Sequence, residues 1–159
     1  MAIRFVRGNL LDADVEALVN AVNTVGVMGK GIALMFKDAF PENFDEYAQA
    51  CEEDRVRVGE VFVTKRCAVT GPRWILNFPT KKHWRNPSEM EWVSAGLADL
   101  RRTLVEKGIR SVALPSLGTG LGGLRWPAVK AAITSALEDL EGVEVLVYEP
   151  TTRYHHVAK

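Results

Sequence analysis

The chain has little of what builds metal or disulfide scaffolds: two cysteines and three histidines in 159 residues. Cys51 and Cys67 fit no CxxC or Cys/His ligand spacing, so neither a structural zinc nor a redox pair is indicated, and both are expected as reduced, buried thiols. No cofactor and no metal is expected. Long apolar runs are also missing. Met1-Ala2-Ile3-Arg4-Phe5-Val6-Arg7 lacks the apolar core of a secretory signal, and nothing later approaches a membrane span. The expected location is cytoplasmic, with no membrane partner. An excess of one charge is absent too, because 20 basic and 20 acidic residues cancel, so attraction to a polyanion must come from a local cluster. Repeats, linkers and low-complexity stretches do not occur, and the length suits one domain.

What is there alternates between strand and helix patterns. Ile3–Arg7 alternates apolar and basic residues as a half-buried strand and ends at Gly8-Asn9; Val15–Val22 is a mostly apolar second strand. A helix starts near Ile32, and Pro41 ends it and opens another that carries Phe44, Tyr47 and Ala48 on one face to about Glu52. Val61–Thr64 and Trp74–Phe78 read as an antiparallel pair joined around Gly71-Pro72. Ser88, with Glu91 three residues on, predicts a capping box for a long helix through Trp92, Leu97, Leu100 and Leu104 that Gly108 stops. Ser111–Pro115, a helix from about Trp126 to Leu140, and Val143–Tyr148 complete the order. Such alternation predicts an α/β fold with a largely parallel sheet covered on both faces, and ligands beyond the carboxyl ends of the strands.

Two glycine-rich segments sit in that position. Gly26-Val27-Met28-Gly29-Lys30-Gly31 and Ser116-Leu117-Gly118-Thr119-Gly120-Leu121-Gly122-Gly123 each connect a strand to a helix. Glycine lets backbone amides close around an anion, and the helix that follows adds the positive end of its dipole. One loop alone reads equally well as a flexible connection, whereas two side by side suit a diphosphate. Neither matches the GxxxxGK[ST] pattern of ATP hydrolysis, and the second does not open the chain as a dinucleotide fingerprint does. A third segment, Lys81-Lys82-His83-Trp84-Arg85, gathers three cations, a histidine and a tryptophan. It reads either as an exposed loop with Trp84 packed on the body, or as a contact for single-stranded nucleic acid through charge and stacking.

Four ordered motifs, Gly8-Asn9-Leu10-Leu11, Val19-Asn20-Ala21-Val22-Asn23, Gly29-Lys30-Gly31-Ile32-Ala33 and Pro115-Ser116-Leu117-Gly118-Thr119-Gly120, resemble the ligand-binding elements of macrodomains over nearly the whole chain. Phe78-Pro79-Thr80-Lys81-Lys82 and Gly120–Trp126 are similar to the branch of terminal ADP-ribose glycohydrolases, and closer still to antitoxin macrodomains that reverse ADP-ribosylation of thymidine in single-stranded DNA. This resemblance implies a three-layer α/β/α domain over 1–150 with a mixed, largely parallel sheet and a tail at 151–159. It implies that Asn9 and Tyr148 serve adenine, that Asn23 and the first loop with Met28, Gly29, Lys30, Gly31 and Ile32 hold the distal ribose, that Gly118, Thr119, Gly120 and Leu121 bind the diphosphate through their amides, and that Leu10, Leu117 and Gly122 also contact ADP-ribose.

Lys81 corresponds in that branch to the lysine that acts at ribose C1″; on its own it would read as an ordinary surface lysine. Lys82, His83, Trp84 and Arg85 become DNA contacts. Two departures stand out: Asn9 where many macrodomains carry aspartate, and Gly122 where the hydrolase branch has an acid. A neutral amide can still accept from an adenine amino group. A thymine N3 leaves as a delocalised anion and needs little general-acid help, which suits a nucleobase substrate. The implied partners are ADP-ribose, ADP-ribosylated single-stranded DNA and a cognate ADP-ribosyltransferase toxin, met through a further region that nothing after Tyr148 resembles. The alternatives are an ADP-ribose-binding module without catalysis, a phosphatase acting on ADP-ribose 1″-phosphate, and a plain nucleic-acid-binding module that leaves the glycine loops unexplained.

Overall fold

The computed structural model describes residues 3–150; the tail expected at 151–159 lies outside the described residues. A six-stranded sheet forms the middle layer, built from β1 (Ile3–Val6), β2 (Ala17–Asn23), β3 (Phe62–Lys65), β4 (Trp74–Lys81), β5 (Ser111–Leu114) and β6 (Glu144–Tyr148). Its order is β1-β6-β5-β2-β4-β3. Every pairing is parallel except β3 with β4, as the Gly71-Pro72 connection predicts. β2 lies at the centre, and its near-continuous apolar run ALVNAVN follows from burial on both faces.

The helices divide between the faces. α3 (Met90–Glu106) and α4 (Trp126–Leu137) cover one side, where Leu97, Leu100, Leu104, Val129 and Ile133 close over Val19, Leu76, Phe78, Leu114 and Val147. Gly96 lets α3 approach the sheet, since a Cβ there would overlap the Phe78 ring. The other side carries a short 3-10 turn (Leu10–Asp12), α1 (Gly31–Ala39) and α2 (Pro41–Glu52), with Phe36, Leu18 and Ile75 in one cluster and Tyr47, Val22 and Met28 in another. The three layers expected from the sequence are present.

Chain direction then fixes where a ligand can lie. β2 delivers the chain to α1 on one face, and its neighbour β5 delivers it to α4 on the other, so the two connections diverge and leave a crevice at the carboxyl ends. Both glycine loops flank this crevice.

Three local expectations fail for identifiable reasons. β4 does not stop at Phe78 but continues to Lys81; Pro79 is tolerated because it lies past the end of β3, whose pairing reaches only Asn77. Ser88 caps nothing. The N-cap of α3 is Glu89, without a side-chain bond, and the Ser88 side chain turns instead beneath the second glycine loop. Cys51 is buried as expected, but Cys67 lies in the exposed connection between β3 and β4. Among the described residues no helix is long and apolar enough to cross a membrane.

Candidate functional site

The first loop is organised by Asn23. Its Oδ1 accepts from the amides of Val25 (3.1 Å), Gly26 (3.2 Å) and Val27 (3.4 Å), and its Nδ2 donates to Val27 O at 2.8 Å. Beneath it the Tyr47 hydroxyl, on α2, lies 2.8 Å from both Asn23 O and Asn23 Oδ1 and donates to that pair. Burial and the nearby Cys51 push the Tyr47 phenol far above its ordinary range, so it remains a donor. The side chain assigned to the distal ribose is therefore first the internal brace of the loop, with one Nδ2 hydrogen left for a ligand. The first amides of α1, from Gly31, Ile32 and Ala33, have no intrahelical acceptor by helix geometry, and Lys30 at the N-cap supplies no side-chain cap. These donors face an anion-ready end.

The second loop folds on itself. Gly122 N donates to Thr119 O and Gly123 N to Gly120 O, both at 3.1 Å, closing a 3-10 turn over Gly120–Gly122. Gly118, Gly120 and Gly123 adopt positive φ, which only glycine takes without strain. Thr119 Oγ1 donates within the loop, to Ser116 O at 2.7 Å. Leu10, Met28 and Leu117 all direct their side chains into the core, so any ligand contact from them must come through the backbone.

Lys81 ends β4 opposite Asn23, across a register shift at Val22/Asn23. Its Nζ donates to Trp84 O and to Leu121 O, each at 3.2 Å, and so ties the basic corner to the second loop. Thr24 ties the same corner to the first loop, with its amide (3.4 Å) and Oγ1 (2.8 Å) both on Lys82 O. Partial burial holds the Lys81 amine below its ordinary value. Residues 23–31, 81–88 and 115–125 contain no Asp or Glu, so no carboxylate of these loops pairs with it.

Trp84 is not packed away: it stays 43% exposed, with the Arg85 guanidinium 4.7 Å over its ring and the His83 ring centroid 5.0 Å away. His83 Nδ1 accepts from Arg85 N at 3.1 Å, while Lys82 lies over Trp92. At the other end of the crevice, Asn9 is exposed and caps the 3-10 turn through Leu11 N (3.0 Å), and Tyr148 is half-buried against Gly8.

Residues 19–133 match the family described as Macro domain. The chain belongs to the macrodomain family. This macrodomain is 63% identical over 148 residues to the DNA ADP-ribosyl glycohydrolase of Thermus aquaticus, an alignment covering 93% of this chain and 41% of that protein. It is 50% identical to the Mycobacterium tuberculosis protein of the same name, covering 94% and 42%. The chain thus spans about two-fifths of the length of these curated relatives. Among solved structures, the macrodomain of Thermus aquaticus DarG superposes with a TM-score of 0.90 at 63% identity, covering 93% of this chain and 98% of that one. Thermosipho africanus DarTG, solved in complex with ADP-ribose, superposes at 0.89 with 35% identity, covering 94% and 42%.

Two contributors to the site carry weak sequence signals. Tyr47 reads as one more apolar position on α2, although a buried phenol needs a hydrogen-bond partner and so points beyond its own helix. Ser88 matches a capping box so well that its other contact is hidden.

Proposed function

We propose that this macrodomain is a DNA ADP-ribosyl glycohydrolase that removes ADP-ribose from thymidine in single-stranded DNA and counters a DNA ADP-ribosyltransferase toxin, which places its work in the cytoplasm. The observation that carries this reading is Lys81: a lysine with lowered proton affinity, held where three loops meet and lacking a carboxylate partner among them. The names of the relatives at 50–63% identity support the reaction, and the fusion of transferase and glycohydrolase in the Thermosipho africanus relative supports the toxin context. Exposed Trp84 beside Lys82 and Arg85 supports the single strand as the larger part of the substrate.

In this mechanism the neutral Lys81 amine attacks C1″. A C–N bond forms to the lysine as the bond to thymine N3 breaks, and N3 takes the pair of electrons and then the proton lost by the amine. The sugar opens to an imine, and water adds to it, releasing ADP-ribose and restoring the amine. Burial of the amine favours its neutral form, so turnover rises with pH until the amine is fully deprotonated, at a pH lower than an exposed lysine would require.

The deciding experiment is Lys81→Ala with an ADP-ribosylated thymidine oligonucleotide. Turnover should vanish while ADP-ribose affinity stays within about tenfold, or about 1.4 kcal/mol, because loop amides and the adenine end would grip the nucleotide, and Lys81 touches the second loop only at the Leu121 carbonyl. Borohydride should trap an adduct on the wild-type protein only. Full activity of the alanine variant would remove Lys81 from the chemistry. Tight ADP-ribose binding by a wild-type protein that turns nothing over would leave a binding module.

A further inference from the structure

The second loop demands glycine for two different reasons. Gly118, Gly120 and Gly123 have positive φ, which a side chain would strain. Gly122 does not, and as the last residue of the 3-10 turn its backbone suits any residue. What bars a side chain there is Ser88. A Cβ on Gly122 would stand 2.5 Å from Ser88 Oγ, and turning the hydroxyl aside would still leave Ser88 Cβ at 3.2 Å, inside the separation at which carbon atoms pack. The serine cannot retreat, because its amide donates to Gly122 O at 2.9 Å and the residue is buried. Its Oγ has no hydrogen-bond partner among the described residues, so the side chain contributes volume there and not a bond.

That volume borders the lysine. The same Cβ on Gly122 would lie 3.9 Å from Lys81 Cε, in contact with the stem one bond short of the amine. An aspartate there would carry its carboxyl group one bond beyond that Cβ, within reach of Nζ. Beside a carboxylate the ammonium form is favoured, and an ammonium has no electron pair with which to attack. Lys81 enters no ion pair among the described residues. The other charged or titratable side chains on the segments that meet at it are Lys82, His83 and Arg85 in its own turn, Lys30 in the first loop and Arg125 after the second, all basic, with Glu89 exposed at the head of α3.

We propose that Ser88 and Gly122 are a positioning pair for Lys81: the serine fills the space that a side chain at 122 would need, and so keeps the amine free of a charged neighbour from the second loop. Protonation of the amine is then set by burial and by basic neighbours, both of which favour the neutral form. The inference rests on Lys81 acting as the nucleophile.

Stability and kinetics test it separately. Gly122→Ala should lower Tm, and the same change in a Ser88→Gly background should cost less than half as much, because the obstructing atoms are gone. Gly123→Ala is the control: its Cβ meets nothing within 4 Å but φ is +80°, so its cost should be equal in both backgrounds. An equal cost of Gly122→Ala in the two backgrounds would overturn the proposal. For the chemistry, Ser88→Gly/Gly122→Asp is compared with its neutral isostere Ser88→Gly/Gly122→Asn in kcat against pH on the ADP-ribosylated thymidine oligonucleotide. The aspartate should move the rising limb up by about one pH unit, so that below both midpoints it is about tenfold slower than the asparagine variant, and the two converge at high pH. Profiles that superimpose, or that differ by the same factor at every pH, would also overturn it. A wild-type protein without turnover would instead remove the functional reading, and this proposal with it, while the Tm comparison would still report the packing.

Discussion

Tyr47→Phe removes one oxygen from the floor of the first glycine loop and leaves the rest of the fold untouched. The lost hydroxyl serves a bifurcated contact to Asn23 O and Oδ1, both at 2.8 Å, inside a fully buried pocket. A net neutral hydrogen bond contributes about 1 kcal/mol, and leaving the acceptor pair short of a donor raises the cost to about 1–2 kcal/mol, since Asn23 Oδ1 still holds amides of its own loop. For a domain of this size that lowers Tm by roughly 2–8 °C. Binding should suffer as well, because the same hydroxyl fixes the residue that shapes the loop.

With affinity weakened tenfold, ADP-ribose at one hundred times the wild-type Kd would stabilise the variant by about 1.4 kcal/mol instead of about 2.7 kcal/mol. Scanning calorimetry with and without ADP-ribose measures both effects. A pH series adds an independent check: folded Tyr47 keeps its proton above pH 10, where an unfolded tyrosine ionises. Its contribution to stability is therefore complete below about pH 10 and is lost as pH rises beyond it, so the gap between wild type and variant should narrow at pH 11. A variant with normal Tm and normal affinity would show that Tyr47 does not brace the loop.

Gly120→Glu should abolish the ADP-ribose thermal shift. Gly120 has φ +61°, and a Cβ there meets nothing within 4 Å, so the side chain would enter open space with its charge and impose backbone strain. A retained shift would mean that the diphosphate lies elsewhere. Trp84→Ala should raise the KM for the modified oligonucleotide by the equivalent of about 1–3 kcal/mol of stacking, with free ADP-ribose binding unchanged. Arg85→Ala should flatten the salt dependence of oligonucleotide binding by about 0.7 in log–log slope for one lost phosphate contact; an unaltered slope would exclude that contact.

Much of this arrangement is legible from residue order alone, because strand, glycine loop and helix recur twice and hydrophobic periodicity marks the elements between. Both loops lie at the carboxyl edge of the sheet, as a parallel α/β pattern requires. Legibility fails where a residue's local preference and its distant contact disagree. Pro79 and Thr80 look like the end of a strand, yet β4 runs through them because β3 is too short to need a donor there. Ser88 has the spacing of a helix cap, and only the fold brings Gly122 against it. Asn23 combines a loop-bracing role with the ligand role proposed for it, and no property of its neighbours in sequence reveals that Tyr47, 24 positions later, completes the brace.

The pairing of β1 with β6 places the first and last described strands side by side, with Val6 opposite Tyr148. A ribosome releases the chain from its amino end, so β1 must wait for nearly all of the domain to emerge before it acquires β6, its one sheet neighbour among the described residues. Until then Gly8 and Asn9 have no Tyr148 beside them, and the end of the crevice proposed for adenine is unformed. Both glycine loops and Lys81 belong to parts of the sheet that can assemble earlier, so a nascent or carboxy-terminally clipped chain would position Lys81 before the proposed nucleotide site was complete.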